Sequence, residues 1–215
     1  MARLRKAARQ WRDPEKRAMG LRVMVDETGP LFAIDPEKLF GRRAPLEVEL
    51  GAGRGDFIIE YAAARPEHDF LAVELSASVA RVLSIRIARA GLPNVRVVRM
   101  DARTMINLML PAASISACHV YFPDPWPALS QHKHRMFSPG FARRMTQALA
   151  PRAILYVATD FEPYAHEIFA VLEEAGFRRT GVAVPGATAS GFARKYLAEG
   201  RRVLSGAFVV ADQVT

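Results

Sequence analysis

Five acids and three glycines carry the chemistry available to this sequence. Glu49, Glu74, Asp101, Asp124 and Asp160 each stand at the end of an apolar run, and Gly51, Gly53 and Gly55 follow the first of them in the segment LEVELGAGRGD, residues 46–56. Glycines that directly follow a strand let the backbone take positive φ and let a ligand approach closely. The helix start behind them offers unpaired N–H groups and a partial positive charge. The spacing is G-x-G-x-G and not the G-x-G-x-x-G of a dinucleotide site. Glu49, immediately before the turn, repels a pyrophosphate and attracts a cation. A ligand carrying an ammonium and a sulfonium suits that charge pattern better than NAD does. Glycine turns of this kind also join strands to helices in proteins without a cofactor, so the downstream acids decide the reading.

Ligands of open α/β sheets lie outside the carboxyl ends of the strands. Glu74 lies about twenty residues beyond the glycine turn, the offset at which a carboxylate accepts hydrogen bonds from ribose hydroxyls. Asp101 with Ala102 suits the amino group and flat ring of an adenine. Asp124 and Asp160 end two further strands. A single acid at a strand end is usually a cap or a solvated turn residue, but four at one rim need another reason. The reading is a methyltransferase that uses S-adenosylmethionine.

Those residues need strands and helices to hold them in place. Apolar alternation at Leu46, Val48 and Leu50 predicts the first strand. Further strands are expected over residues 69–75, 94–100, 114–122 and 153–160, with helices over 56–65, 76–91, 138–149 and 162–175. A last strand near residues 204–210 is expected to pair antiparallel with one near 177–184, a basic, Gly-rich loop lying between them. The predicted fold is α/β and Rossmann-like: a seven-stranded, mostly parallel sheet with an antiparallel last strand and helices on both faces. Residues 1–41, with turn formers at Asp13-Pro14, Gly29-Pro30 and Asp35-Pro36, read as a basic arm and lead-in, and residues 42–215 as one domain.

Half of the 215 residues are hydrophobic and the net charge is +8, which points to a polyanionic partner. Between Met1 and Arg22 eight basic residues stand against two acids, so most of the excess lies in the arm. The lone Cys118 allows neither a disulfide framework nor a cysteine zinc site and suits a reducing compartment. No apolar stretch is long enough to span a bilayer, and the arm lacks the apolar segment of a secretory signal. The expectation is a soluble, cytoplasmic monomer. His132 and His134 alternate with Lys133 without nearby carboxylates or cysteines, so no metal site is expected. His119 and Cys118, inside an apolar strand, read as packing.

The segments VELGAGRGD, FLAVELS, NVRVVRMDA, YFPDPW and YVATDFEPYA resemble, in order and spacing, those of the bacterial tRNA (guanine-N7)-methyltransferases, class I enzymes dependent on S-adenosylmethionine. The resemblance covers residues 47–177, and FPDPW followed by ATD is its distinctive part. It implies that Glu49, Gly51, Gly53, Gly55, Glu74, Asp101, Ala102 and Asp124 hold the cofactor. Asp124, as the catalytic residue, and Asp160 would face a guanine of tRNA. Trp126, Lys133 and Arg135 are further substrate candidates, as are the arm with Trp11 and the late cations Arg178, Arg179, Arg194, Lys195, Arg201 and Arg202.

The chain departs from that family at two places. Ala128, Ser130 and Gln131 stand where the family carries a Lys and an Arg-His pair. Ser190, Gly191, Phe192 and Ala193 replace a Thr-x-Phe-Glu segment. Two other readings share the same residues: a methyltransferase of another RNA site or a small molecule, and a non-catalytic RNA-binding protein that retains the fold.

Overall fold

Five consecutive residues, Leu46–Leu50, form strand β1, and all five are buried, the glutamates at 47 and 49 included. Full burial of a short strand is the mark of a parallel sheet covered on both faces. In this computed structural model, which describes residues 10–25, 34–189 and 191–211, the chain divides into two compact units at Met109/Leu110. The arm cations Arg3, Arg5, Lys6 and Arg9, the turn Gly29-Pro30 and Ser190 lie outside the described residues.

The first unit contains helices α1 (Pro14–Leu21), α2 (Pro36–Phe40), α3 (Ile58–Ala63) and α4 (Ala77–Arg89). Strands β2 (Asp69–Val73) and β3 (Val95–Val98) lie parallel to β1 in the order β3-β2-β1. Leu50 pairs with Val73, so the two strands end together and deliver Gly51 and Glu74 to the same rim. The unit closes with a short helix α5 (Ala102–Thr104) that widens into a π-helical turn over Met105–Met109.

At the opposite ends of these strands the buried acids have side-chain partners. Arg42 donates from Nε and Nη2 to Asp69 Oδ1 at 3.0 and 2.7 Å, and His68 Nδ1 lies 2.6 Å from Glu47 Oε1. Buried carboxylates are tolerated when paired in this way.

Two expectations about the lead-in change. Asp13-Pro14 and Asp35-Pro36 begin helices: each aspartate caps backbone N–H groups and each proline takes the first helical position, where no N–H is needed. Residues 23–25 lie along the outer edge of β3, with Val25 N donating to Val97 O and Val97 N to Val23 O, both at 2.8 Å. The edge strand is thus covered. Helix α1 packs on α4 through Gly20, where a Cβ would meet Trp11 at 2.7 Å, Ser84 Oγ at 2.8 Å and Ile85 at 3.3 Å.

The second unit orders its strands β4-β5-β7-β6: β4 (Ile115–Tyr121) parallel to β5 (Leu149–Thr159), with β7 (Leu204–Val210) antiparallel to both β5 and β6 (Phe177–Thr180). The expected antiparallel closing strand is present. Helices α6 (Pro139–Ala148), capped by Ser138, and α7 (Glu162–Glu174) lie where the sequence places them. The expected loop before β7 instead holds α8 (Gly186–Ala189) and α9 (Gly191–Ala198). β5 starts four residues earlier than expected because it runs through Pro151 and Arg152, the latter at φ +66°, with an irregular register against β4.

Gly20→Leu is expected to separate α1 from α4 and lower stability by about 1–3 kcal/mol, the usual range for overpacking. Urea unfolding measures it, and an unchanged midpoint contradicts the packing described.

Candidate functional site

The glycine turn after β1 is built as a cradle. Gly51, Gly53 and Gly55 have φ of +79°, +55° and +75°, conformations that a side chain rarely adopts. Their surroundings differ. A Cβ on Gly55 would run into Leu83 of α4, so this glycine serves packing. A Cβ on Gly51 would meet nothing within 4 Å, and one on Gly53 only a carbonyl oxygen at 3.9 Å, so the backbone there faces open space. Gly51 N and Ala52 N both donate to Val73 O at 2.9 Å, which ties the turn to the end of β2.

Two side chains from outside the turn fix its shape. Glu74 accepts from Gly53 N through Oε2 at 3.0 Å and from Ser76 N through Oε1 at 2.7 Å, joining the glycine turn to the start of α4. A carboxylate has about four acceptor positions, so each oxygen retains capacity for a ligand hydroxyl. Arg86 of α4 donates to Asp56 Oδ1 at 2.6 Å and also to the Arg54 carbonyl. The sequence reading passed over Arg86; nothing marks it as a loop clamp except its cationic type on the helix that follows β2.

Glu49 is the anomaly. It is 5 % exposed, and among the described residues its Oε2 has no hydrogen-bond partner. Burial first, then the carboxylates of Asp56 and Glu74, push its carboxyl well above the usual glutamate range. A buried acid with an oxygen that no described residue satisfies thus stands beside an open backbone cradle.

Asp101 caps α5, accepting from the N–H groups of Arg103 and Thr104 at 2.9 and 3.2 Å and from the Arg103 side chain at 3.2 and 3.1 Å. Burial raises its carboxyl, but the Arg103 and Thr104 donors outweigh that and hold it below the ordinary aspartate range. Ala102, half-buried, follows directly.

In the second unit the FPDPW loop leaves β4 in a strained path. Phe122 and Trp126 take φ of +53° and +43°, each costing on the order of 1–3 kcal/mol in a residue with a bulky side chain. Arg135 stabilises that path. It is 6 % exposed, donates to Pro125 O at 2.8 Å and Trp126 O at 3.4 Å, pairs with Glu167 of α7, and lies 4.8 Å over the Tyr164 ring. Its guanidinium is thus engaged inside the protein, whereas Lys133 is exposed on the 3-10 turn Leu129–His134. The Trp126 ring packs 5.2 Å from His134, and Asp124 is exposed.

Asp160, after β5, is paired with Arg201 at 2.5 Å. The ring of Tyr196 on α9 lies under that pair, and burial, with Asp160 next, raises its hydroxyl above the ordinary tyrosine range. Tyr196 was not anticipated, although the i, i+4 spacing of Phe192 and Tyr196 was a legible signal. Cys118 is buried, which pushes its thiol up and leaves it inert, and His119 Nδ1 contacts Tyr121 Oη at 2.8 Å. Among the described residues no cluster of three or more His, Cys, Asp or Glu residues could hold a metal, and no helix is long and apolar enough to cross a membrane.

Comparison with known proteins follows the same outline. A family model described as "Putative methyltransferase" matches residues 43–183. The chain belongs to this methyltransferase family. It is similar to the tRNA (guanine-N(7)-)-methyltransferase of Chromohalobacter salexigens, 43% identical over 145 residues, which are 67% of this chain and 59% of that protein. The enzyme of the same name from Leifsonia xyli subsp. xyli is 43% identical over 150 residues, 69% of this chain and 65% of that protein. The matched part thus spans about three fifths of these curated relatives. Among solved structures, a SAM dependent methyltransferase from Aquifex aeolicus superposes with a TM-score of 0.56 at 15% identity, covering 91% of this chain and 98% of that one. At that identity the likeness concerns the fold, a class I methyltransferase fold with a seven-stranded, mostly parallel sheet, antiparallel last strands and helices around it.

Because the folded protein holds the proton of Glu49 more tightly than the unfolded chain, that residue contributes stability at low pH and loses it as pH rises through the raised value. The stability of the Glu49→Gln variant relative to the parent is therefore expected to increase as pH rises above the ordinary glutamate range. Urea unfolding at a series of pH values reads this difference, and a constant difference contradicts the burial argument.

Proposed function

We propose that the chain transfers a methyl group from S-adenosylmethionine to N7 of a guanine in tRNA. The observation that carries this reading is the buried Glu49, with an Oε2 that no described residue satisfies, beside the open backbone of Gly51 and Gly53. Similarity to enzymes named for that activity over two thirds of the chain supports it.

The residues present fit the cofactor. Glu49 would take a cationic group, the open backbone of Gly51 and Gly53 would let the ligand approach while Gly55 packs the turn on Leu83, Glu74 would accept from ribose hydroxyls, and Asp101 with Ala102 would receive the purine edge. When bound, the cofactor supplies an electrophilic methyl on a sulfonium. Guanine N7 carries a free lone pair, so the protein needs no strong general base. Its task is to align the acceptor and exclude water.

Asp124 would lie against the acceptor, with Asp160 as second anchor. As positive charge moves onto the purine, a carboxylate beside it stabilises that charge and accepts from N1–H and the exocyclic amine. The strained FPDPW path, held by Arg135, serves to place Asp124. Arg135 therefore acts on the substrate only through the loop, while Trp126 and Lys133 contact RNA as an aromatic face and a phosphate cation. The excess of positive charge suits the same partner.

Incubation of the purified protein with labelled S-adenosylmethionine and unmodified tRNA, followed by nucleoside analysis, is expected to yield 7-methylguanosine. Asp124→Asn is expected to lower the rate about 100-fold or more, the scale of losing one preorganised electrostatic group. Label in another nucleoside, or none, contradicts the reading, and a full rate in Asp124→Asn removes that residue from the acceptor.

A further inference from the structure

In the second unit Arg201 sits where the edge of a guanine would fit. Its Nη1 lies 2.5 Å from Asp160 Oδ2, its Nε 3.3 Å from Glu199 Oε2, and its guanidinium carbon 4.5 Å from the centroid of the Tyr196 ring. A guanidinium is a flat, delocalised group whose edge offers parallel N–H donors and whose face stacks on an aromatic ring. The N1–C2–N2 edge of guanine has the same makeup: a flat π face and two adjacent N–H donors directed at one carboxylate. The site holds Arg201 through N–H donors to the carboxylates of Asp160 and Glu199 and through its face on the Tyr196 ring, and a guanine can make the same two kinds of contact with Asp160 and the ring.

The geometry points to Asp160 and Tyr196 as the seat of the acceptor guanine, with Arg201 occupying that seat as an internal stand-in that leaves when RNA arrives. This inference rests on the guanine acceptor proposed above and adds the platform and its occupant.

Three observations around the pair agree with a seat for a nucleobase. Tyr196 is stacked on Phe192 at 5.8 Å with the ring planes 29° apart, and Phe122, the strained residue that opens the FPDPW loop, lies 5.5 Å from Tyr196 and 6.1 Å from Phe192. Phe192 nevertheless leaves 53 % of its surface in water, an exposed aromatic face of the kind on which unstacked bases rest. Lys195 Nζ lies 5.2 Å from the centre of the Tyr196 ring and adds a second cation for the phosphates that accompany a base.

Arg201 is also easily released. Its side chain is 51% exposed while Asp160 is 18% exposed, and an ion pair with one partner in water is weak. A displaced Arg201 finds a phosphate oxygen in place of the carboxylate, so its charge stays matched as Asp160 passes to the base.

The test is binding of the nucleoside guanosine, without phosphate, to the full chain, followed by ligand-observed NMR with adenosine as control. Arg201→Ala is expected to bind guanosine about 3- to 5-fold more tightly than the parent, the range of an exposed ion pair no longer competing. Adenosine, which lacks the paired donors, is expected to show no gain. Adding Tyr196→Leu to Arg201→Ala is expected to abolish the gain, and Arg201→Gln, which keeps the side chain's bulk without its charge, to retain part of it. Equal guanosine affinity in the parent and in both Arg201 variants overturns the inference, as does an equal gain for adenosine. Methyl transfer to guanine N7 without a guanosine gain rejects the seat and leaves the proposed function standing. A guanosine gain without methyl transfer supports the seat and rejects the function.

Discussion

The structure of the first unit turns on a carboxylate that the protein buries and does not satisfy. β1 carries two glutamates. Glu47 is matched by His68, and Glu49, two residues on, has an oxygen with no partner among the described residues and two further acids for company. An uncompensated buried acid destabilises the free protein, so the fold must hold it there by other means. It does so through the strands themselves: Leu46, Val48 and Leu50 on the same strand are 0–2 % exposed and in register with β2. The open backbone at Gly51 and Gly53 lies beside that acid.

The surrounding polar contacts hold that opening in shape. Glu74 and Arg86 each join α4 to the glycine turn, one from the carbonyl end of β2 and one from the last turn of the helix. Gly55 allows the turn to sit close against Leu83. The FPDPW loop of the second unit is held by a different device, a buried guanidinium that collects two loop carbonyls and a carboxylate. In both units a charged side chain stabilises an unusual backbone path next to an acid at a strand end.

Much of this was legible in the sequence. The strands that end at Leu50, Val73, Val98, Tyr121 and Thr159 lie within two residues of the expected ends, because buried parallel strands read as short apolar runs bounded by turn residues. The N-caps Asp13 and Asp35 were misread as turns, since an Asp-Pro pair opens a helix and a turn alike until the following residues are seen to pack. The π-helical turn at Met105–Met109 has no local signature. Helices α8 and α9 stand in a stretch whose glycines suggested a loop. At the site, the acids were visible as residue types at strand ends. Their partners are not: Arg135 and Arg201 both read as cations for the substrate, whereas Arg135 is buried against the loop and Arg201 is paired with Asp160. Burial and pairing depend on contacts far apart in sequence, which periodicity does not encode.

The claim on which the account depends is that Glu49, buried and with an Oε2 that no described residue satisfies, receives a cationic ligand. Calorimetric titration of the protein and of Glu49→Gln with S-adenosylmethionine tests it most directly. The account requires that the parent binds and that binding weakens in Glu49→Gln. Equal binding in parent and Glu49→Gln, or no binding at all, would contradict it.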